Sequence, residues 1–314
     1  MRLLLPFFLF ISASALGQAI SAVGQFVDAE TLEPLPYVNI ILEEEKRGTS
    51  TDKEGRYSFV VKDIAEDTDV KFSYVGYESK HAPLKELKGK VIRLKPSVDH
   101  LAEVRLYTIK EKKRRRINDF RRKEIIGLGN FSGGQYPSIV ARHYDKPEKF
   151  DEGCFIKDIE VRYFSVEKTL YGSAKFRLRI MAVDKKGKPS YDLLSDGLII
   201  QKEASQFKSK IDMLPYKIAV PKDGFFVAVE HLFIEENAYF EEKDYRVNDT
   251  IIYRDVKLRK YGPVFSGVLE EYREGFNSYY KDTNGWQKMD NLDNSNEVFS
   301  GMLPVPAFKI TMTD

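Results

Sequence analysis

The stretch KRGTSTDKEGRYSFVV, residues 46–61, contains a turn followed by an alternating strand pattern. In the turn at residues 51–55, the Asp52 side chain can accept hydrogen bonds from downstream backbone N–H groups, and Gly55 can adopt a positive φ. After the turn, every second residue is large and apolar, as expected for a strand with one buried face: Tyr57, Phe59 and Val61. The stretch therefore predicts two strands joined by a tight turn.

Further short strand patterns lie on both sides of this turn. They are SAVGQFVDAET (21–31), PLPYVNIILEEE (34–45), VKFSYVGYESK (70–80) and KVIRLKPS (90–97). Short strands separated by turn residues at this spacing are typical of a β-sandwich.

Residues 20–104 resemble the carboxypeptidase-like regulatory domain family in several motifs that keep their order and spacing. The motifs are GQFVD (24–28), PLP (34–36), VNI (38–40), GTSTD (48–52), GRYSF (55–59) and YVGY (74–77). The resemblance implies a transthyretin-like β-sandwich without catalytic machinery of its own. Related domains are appended to metallocarboxypeptidases, and in Gram-negative bacteria they precede the plug of outer-membrane nutrient receptors. No plug-like sequence follows here, so a receptor of that kind is not expected.

Residues 1–17 have the pattern of a cleaved signal peptide. Arg2 supplies the positive charge, the apolar stretch at residues 3–11 is too short to cross a bilayer, and Ala15 and Gly17 provide the small residues before a cleavage site. Together with the resemblance, this pattern predicts export to the periplasm or cell surface of a Gram-negative bacterium. The chain is then not an integral membrane protein after cleavage.

The charge balance argues against a dedicated nucleic-acid-binding protein. The 314 residues include 50 Lys and Arg and 48 Asp and Glu, which leaves a net charge of only +2. The one cysteine, Cys154, cannot form an internal disulfide and is expected to be a buried apolar side chain.

Residues 105–149 are predicted to join two domains. A basic run from Lys110 to Arg116 leads into spaced apolar residues, which predicts a short helix, and a glycine-rich joint follows at residues 127–138. The basic run suggests a weak contact with an anionic surface. The alternative is a linker helix whose Lys and Arg side chains simply face water.

Residues 150–314 are predicted to form a second, jelly-roll-like antiparallel β-sandwich, so the whole chain is expected to be all-β. The clearest strand is KFRLRIMAVD at residues 175–184, in which apolar and basic residues alternate. Phe176, Leu178 and Ile180 would face the core, while Arg177 and Arg179 would point the other way.

No motif for catalysis, a metal or a cofactor is readable in the chain. The four histidines have no metal-ligand spacing, and no Gly-x-Ser-x-Gly sequence is present. The stretch FNSYYKDTNGWQKMDNLDNSNEVF (276–299) places aromatic rings among amide and carboxylate side chains, as sugar-binding proteins do. We therefore predict Trp286, Tyr279 and Tyr280 as ligand-binding residues. The alternative is that residues 284–285 form a hairpin turn and Trp286 packs on the sandwich.

These observations predict a non-catalytic, exported protein of the cell envelope that binds a glycan, a peptide or a protein partner. One alternative is a secreted hydrolase that acts on polysaccharide or peptide through carboxylates of the second sandwich, since paired acids leave no sequence signature across a sheet. Another is a structural spacer in an envelope complex.

Overall fold

The computed structural model describes residues 19–97, 108–117, 120, 125–150, 153–164, 172–194, 197–247, 250–271, 278–291 and 301–314. Their regular structure is β-strand apart from single turns of 3-10 helix at Leu84–Leu87, Leu214–Tyr216, Glu235–Asn237 and Met289–Asn291. The predicted all-β fold class is confirmed, and the sheets form two sandwiches. The predicted signal peptide, residues 1–17, lies outside the described residues.

The first sandwich is built from seven strands in two sheets. They are β1 (Ala19–Asp28), β2 (Asn39–Leu42), β3 (Arg47–Ser50), β4 (Arg56–Lys62), β5 (Asp69–Ser73), β6 (Lys80–Pro83) and β7 (Lys90–Leu94). One sheet has the order β4-β1-β7 and the other the order β3-β2-β5-β6. The side chains between the two sheets form one hydrophobic core that includes Phe26, Ile40 and Phe72.

The turn and strand predicted from residues 46–61 are both present. Asp52 Oδ1 accepts hydrogen bonds from the backbone N–H groups of Glu54 (2.9 Å) and Arg56 (2.8 Å). Gly55 has a φ of 72°, and burial alternates strictly along β4. Local sequence therefore determined this part of the fold.

The second sandwich contains the remaining strands. They are β8 (Arg114–Ile117), β9 (Ile125–Leu128), β10 (Ile139–Tyr144), β11 (Phe155–Arg162), β12 (Ala174–Val183), β13 (Pro189–Asp192), β14 (Leu198–Lys202), β15 (Lys208–Asp212), β16 (Phe225–His231), β17 (Ala238–Val247), β18 (Thr250–Tyr261), β19 (Phe265–Glu270), β20 (Ser278–Asp282), β21 (Gly285–Lys288), β22 (Leu303–Pro306) and β23 (Lys309–Thr313).

One large sheet has the order β13-β12-β16-β10-β20-β21, with β14 also paired to β12. The opposite layer consists of the sheets β15-β11-β23-β8 and β22-β19-β9, and β17 and β18 form a separate hairpin. Between the layers lies the larger core, which contains Phe176, Leu178 and Ile180 as the alternation in β12 predicts. The other face of the large sheet carries a smaller apolar cluster around Phe226 and Tyr279.

The predicted basic helix within residues 105–149 is wrong where the structure describes that segment. Arg114–Ile117 is an edge strand that pairs with β23, and Ile125–Leu128 pairs with β19. The basic side chains at Arg114–Arg116 are exposed and Ile117 packs on the core. Exposed basic residues followed by one apolar residue are compatible with an edge strand as well as with a helix. The segment forms a strand because it pairs with β23, which lies near the other end of the chain.

The second sandwich also begins earlier than residue 150. Strand β10 lies between β16 and β20 in the large sheet, so residues 139–144 belong to the sandwich and not to a linker. The glycine-rich joint at residues 127–138 accordingly connects β9 and β10 within this sandwich. The boundary was misplaced because β10, IVARHY, is short and has only one clear apolar pair.

The two sandwiches are in direct contact through β3 and the segment after β16. The backbone N–H of Ser50 donates to the Phe233 carbonyl (3.1 Å), and the N–H of Phe233 donates to Ser50 Oγ (3.0 Å). Tyr37, Leu232 and Ile234 form a buried cluster across the contact. These contacts place the first sandwich over the outer face of the large sheet.

Candidate functional site

A cleft of about 600 Å³ lies where the first sandwich meets the outer face of the large sheet; we call it the interdomain cleft. The first sandwich contributes side chains of β2, β5 and the loop after β5, including Asn39, Lys71 and Tyr74. The second contributes side chains of β12, β13, β16 and β20, including Arg179, Tyr191 and Lys281. The volume is within the range of small-molecule sites in proteins, about 300–1,000 Å³.

Four charged side chains of the second sandwich lie along the cleft; we call Arg177, Arg179, Asp192 and Glu230 the arginine–carboxylate network. Arg177 Nη1 lies 2.8 Å from Glu230 Oε1, and Arg179 Nη1 lies 3.4 Å from Glu230 Oε2. Arg179 also binds Asp192 through two hydrogen bonds of 2.9 and 2.5 Å. Each carboxylate is thus held by at least one guanidinium, a geometry that favours strong charge-assisted hydrogen bonds.

The strand register positions this network. Arg177 and Glu230 are direct cross-strand partners in β12 and β16, and Arg179 lies two residues further along β12. Because side chains alternate along a strand, all three point away from the large core while Phe176 and Leu178 point into it. The prediction that the basic face of β12 points away from the core is confirmed. The first sandwich covers this face, so the side chains of Arg177 and Glu230 are each only 1% exposed.

The network also binds the first sandwich. Arg177 Nη2 donates to the Tyr37 carbonyl (2.7 Å), and Asn39 Nδ2 donates to Glu230 Oε1. Asn39 is held in turn by Ser50, whose hydroxyl donates to Asn39 Oδ1 (3.1 Å). Glu230 therefore accepts hydrogen bonds from both sandwiches, and the contact at the base of the cleft depends on its charge.

The pKa of Glu230 shows how the network is balanced. Burial alone would raise the pKa of this carboxyl, but the charges of Arg177 and Arg179 and the hydrogen bonds from Asn39 and Arg177 outweigh burial and hold the pKa below its ordinary value. Glu230 is therefore ionised at neutral pH. An ionised, fully paired carboxylate is suited to holding a structure together and unsuited to donating a proton.

Lys281 is the remaining cation that lines the cleft from the second sandwich. Its Nζ lies 5.7 Å from the centroid of the Trp286 ring, and burial, with the charge of Arg179, lowers the pKa of Lys281 to about 8 against an opposing effect of Glu230. Within the described part of the chain no carboxylate forms an ion pair with this ammonium. On the first sandwich, by contrast, Lys71 is paired with Glu43 at 2.8 Å.

The structure places two of the three residues predicted to bind a ligand, Trp286 and Tyr279, on one face of the large sheet and Tyr280 on the other. Trp286 is half-buried beside the outer apolar cluster, and Tyr279 is fully buried in that cluster, with its ring edge-on to Phe226. Tyr280 points to the opposite side of the sheet and stacks on Phe131 at 4.9 Å. Of the three, Trp286 is the one beside a cleft residue, through Lys281.

The residues that line the cleft were not predicted as site residues, although one signal for them is present in the sequence. Strand β16, FFVAVEH, is buried at every position, and a strand with almost no polar residues is expected to be covered on both faces. A glutamate in such a strand must be paired, and the arginines of β12 are available partners. That the first sandwich would cover this face could not be read from the chain.

Other groups suited to chemistry are buried. Burial raises the pKa of Cys154 to about 12, and its Sγ lies 3.7 Å from Met312 Sδ. His231 is 1% exposed and packs edge-on against Phe265, because its side chain points into the large core. In the described part of the chain, no three His, Cys, Asp or Glu side chains are grouped as metal ligands. The described helices also include none long and apolar enough to cross a bilayer.

Comparison with known proteins bears on the first sandwich. Residues 22–106 match the family model of the CarboxypepD_reg-like domain, which confirms the resemblance seen at residues 20–104. A TonB-dependent receptor of Formosa agariphila is 37% identical over 81 residues. The alignment covers 26% of this chain and only 8% of the receptor. The chain therefore matches only a small part of the receptor's length.

Proposed function

We propose that the chain is a non-catalytic binding protein of the Gram-negative cell envelope that takes its ligand in the interdomain cleft. The observation that carries the proposal is the cleft itself, to which both sandwiches contribute polar and aromatic side chains over a buried charge network. Sites that bind small molecules or chain segments occur preferentially at such interfaces between domains.

The make-up of the cleft wall supports binding. Tyr191 is 39% exposed and lines the opening, and Ser73, Ser190 and Thr283 add hydroxyl groups. Aromatic rings provide contact area at little cost in side-chain entropy, while hydroxyl groups fix the orientation of a polar ligand. A glycan or a peptide could use both kinds of contact.

The state of the carboxylates supports a role without catalysis. A glycosidase needs one carboxylic acid with a raised pKa beside a second, ionised carboxylate. In the cleft, arginine charges hold the pKa of Glu230 down, and both oxygens of Asp192 accept hydrogen bonds from Arg179. A hydrolase that uses these carboxylates, the alternative predicted from the sequence, is therefore the weaker candidate.

Two observations support a place in the cell envelope. The signal-peptide pattern of residues 1–17 predicts export, and the first sandwich is similar to part of a TonB-dependent receptor. Export would place the protein in the periplasm or at the cell surface. The exposed basic residues Lys110–Arg116 could add a weak contact with an anionic surface there.

Blocking the cleft tests the proposal. In the Ser190→Trp variant, an indole would occupy space in the cleft opening. The control Ser21→Trp places the same group on an exposed position of β1, in the sheet β4-β1-β7, which is not the sheet that contains β2 and β5 of the cleft wall. Labelled full-length protein would be applied to a glycan array and a peptide array. We expect the wild type and Ser21→Trp to bind the same probes and Ser190→Trp to lose them. If every bound probe were retained by Ser190→Trp, the cleft would not be the binding site.

A further inference from the structure

Lys281 differs from the other cations that line the interdomain cleft because no anion of the described chain neutralises it. Arg177 and Arg179 share Glu230, Arg179 also holds Asp192, and Lys71 holds Glu43. The two carboxylates whose charges act favourably on Lys281, Glu230 and Asp192, are thus already taken by arginines. Among the described side chains, its Nζ contacts the ring of Trp286.

The strand geometry directs this ammonium into the cleft. Lys281 lies in β20 directly opposite Trp286 of β21, and it alternates with Tyr280, which points into the large core. Its side chain therefore lies on the outer face of the sheet, where it lines the cleft. The hairpin turn at residues 283–284 and the packing of Trp286 hold the lysine in this position.

An uncompensated cation at such a position is costly. Burial and Arg179 lower the pKa of Lys281 to about 8, so the group is still mostly protonated at neutral pH. A partly desolvated charge without a counter-ion favours a ligand that supplies one, because the ion pair forms where contact with bulk water is reduced. An anionic ligand would supply the negative charge that no described carboxylate provides by direct pairing with Lys281.

The rest of the wall indicates what carries that charge. The cleft presents the hydroxyl groups of Ser73, Ser190 and Thr283 and the half-exposed ring of Tyr191. Hydroxyl groups match the hydroxylated rim of a sugar, and an exposed aromatic face matches the apolar face of a pyranose ring. Each of these features is compatible with a peptide as well, but their combination in one cleft favours a saccharide.

We infer that the interdomain cleft binds an acidic saccharide and that Lys281 forms an ion pair with its carboxylate. The inference rests on the proposed function, because it names the ligand class for the same cleft. It assigns to Lys281 the recognition of charge and to the hydroxyl and aromatic side chains the recognition of the sugar ring.

Calorimetric titration of the full chain at pH 7 tests this assignment. The probes are trigalacturonate, its methyl ester, which has the same shape without the charge, and an N-acetylated tripeptide that ends in glutamate. Lys281→Met removes the ammonium and keeps an unbranched side chain, whereas Lys281→Arg keeps a cation. As a control, Lys222→Met removes an exposed lysine just before the start of β16, at the end of this strand that is remote from Glu230. Thermal melting of each variant checks that it is folded.

We expect the wild type to bind trigalacturonate at least tenfold more tightly than its methyl ester. Lys281→Met should lose at least tenfold in affinity for trigalacturonate and bind both sugars equally, while Lys281→Arg and Lys222→Met should stay within about threefold of the wild type. Affinity of the wild type should fall above pH 8 and that of Lys281→Arg should not. The other charged groups that act on Lys281 are Arg179, Lys71, Glu230 and Asp192. The Lys281→Arg variant keeps all four, so a loss of affinity above pH 8 that this variant does not share is assigned to Lys281.

Several results would overturn the inference. They are the absence of wild-type binding to trigalacturonate, equal affinity for the acid and its ester, unchanged affinity in Lys281→Met, or binding of the tripeptide in its place. The proposed function has a separate outcome. A neutral glycan or a peptide that is lost in Ser190→Trp but unaffected by Lys281→Met would leave the cleft as the binding site and remove the acidic saccharide.

Discussion

Replacing Glu230 by glutamine should destabilise the protein more than any other single change in the arginine–carboxylate network. The substitution keeps the size of the side chain and removes its charge. Arg177 would then have no carboxylate partner in the described chain, although its side chain is only 1% exposed. Its remaining contacts would be the Tyr37 carbonyl at 2.7 Å and the Tyr74 ring at 5.1 Å, neither of which neutralises it.

The structure also ranks the related variants. Breaking a buried ion pair by removing one partner costs about 3–5 kcal/mol, and Glu230→Gln should lie in the upper half of that range. Arg177→Met should cost less, because Glu230 keeps Arg179 at 3.4 Å and the Asn39 amide. The double variant should be more stable than Glu230→Gln alone, because it leaves no unpaired charge at the position of Arg177.

Unfolding by urea at pH 7 measures these differences, since urea does not screen charges as guanidinium salts do. Trp286 is the only tryptophan and lies in the sheet that carries Glu230, so its fluorescence reports on that sheet. Far-ultraviolet circular dichroism follows both sandwiches. A Glu230→Gln protein within about 1 kcal/mol of the wild type would refute the reasoning, because the threshold is far below the cost of an unpaired buried charge. So would a double variant less stable than Glu230→Gln.

Two further predictions concern stability. Burial lowers the pKa of His231 from 6.5 to about 4, so as the pH falls the unfolded chain takes up the proton before the folded protein does. The free energy of unfolding should therefore be highest above pH 6.5 and decrease by about 3 kcal/mol as the pH falls to 4. Urea unfolding across this range should show a flatter dependence in His231→Gln, and an unchanged slope would contradict the assignment. Gly55→Ala should lower the free energy of unfolding by about 1–3 kcal/mol more than Gly89→Ala does. Both glycines have a positive φ, but a Cβ at Gly55 would lie 2.7 Å from the Phe26 carbonyl oxygen, whereas a Cβ at Gly89 would meet no atom within 4 Å. Equal thermal stabilities of the two variants would show that crowding at Gly55 is relieved.

The parts of the fold that local alternation determines could be predicted from the sequence. In β4 the burial of Tyr57, Phe59 and Val61 follows from the period of two, and in β12 the same period places Phe176 and Leu178 in the core. In both strands each side chain is assigned to a face by its immediate neighbours. No knowledge of distant parts of the chain is needed.

The segment at Arg114–Ile117 shows where such reasoning fails. Three basic residues and an isoleucine have no clear period, and the strand forms because its backbone groups pair with Lys309–Thr313. Backbone hydrogen bonds between two distant segments do not depend on a particular side-chain composition in either segment, so the sequence does not indicate them. The helix predicted there rested on the spacing of a few apolar residues, and tertiary pairing overrode it.

The candidate site could not be predicted from the sequence for a related reason. Alternation shows that Arg177 and Arg179 leave the core of their own sandwich, but solvent and a second domain are equally compatible with that direction. Lys281 is one of 50 basic residues, and its distinction is that no carboxylate of the described residues pairs with it. This can be recognised only once the partners of its neighbours are known. The unbroken apolar character of β16 is the one local sign that its outer face is covered.

The position of Glu230 links the stability of the domain contact to ligand binding. Its carboxylate binds Arg177 from its own sheet and Asn39 from the first sandwich, and these residues form the base of the cleft. A ligand that touches both walls binds only the docked arrangement, so by mass action it stabilises that arrangement by RT ln(1 + [L]/Kd). Any change that weakens docking must weaken the apparent affinity by the fraction of molecules that are undocked. On the proposed function, the charge network and Lys281 therefore have different effects: the network sets how much of the protein is able to bind, and Lys281 sets which ligand is bound.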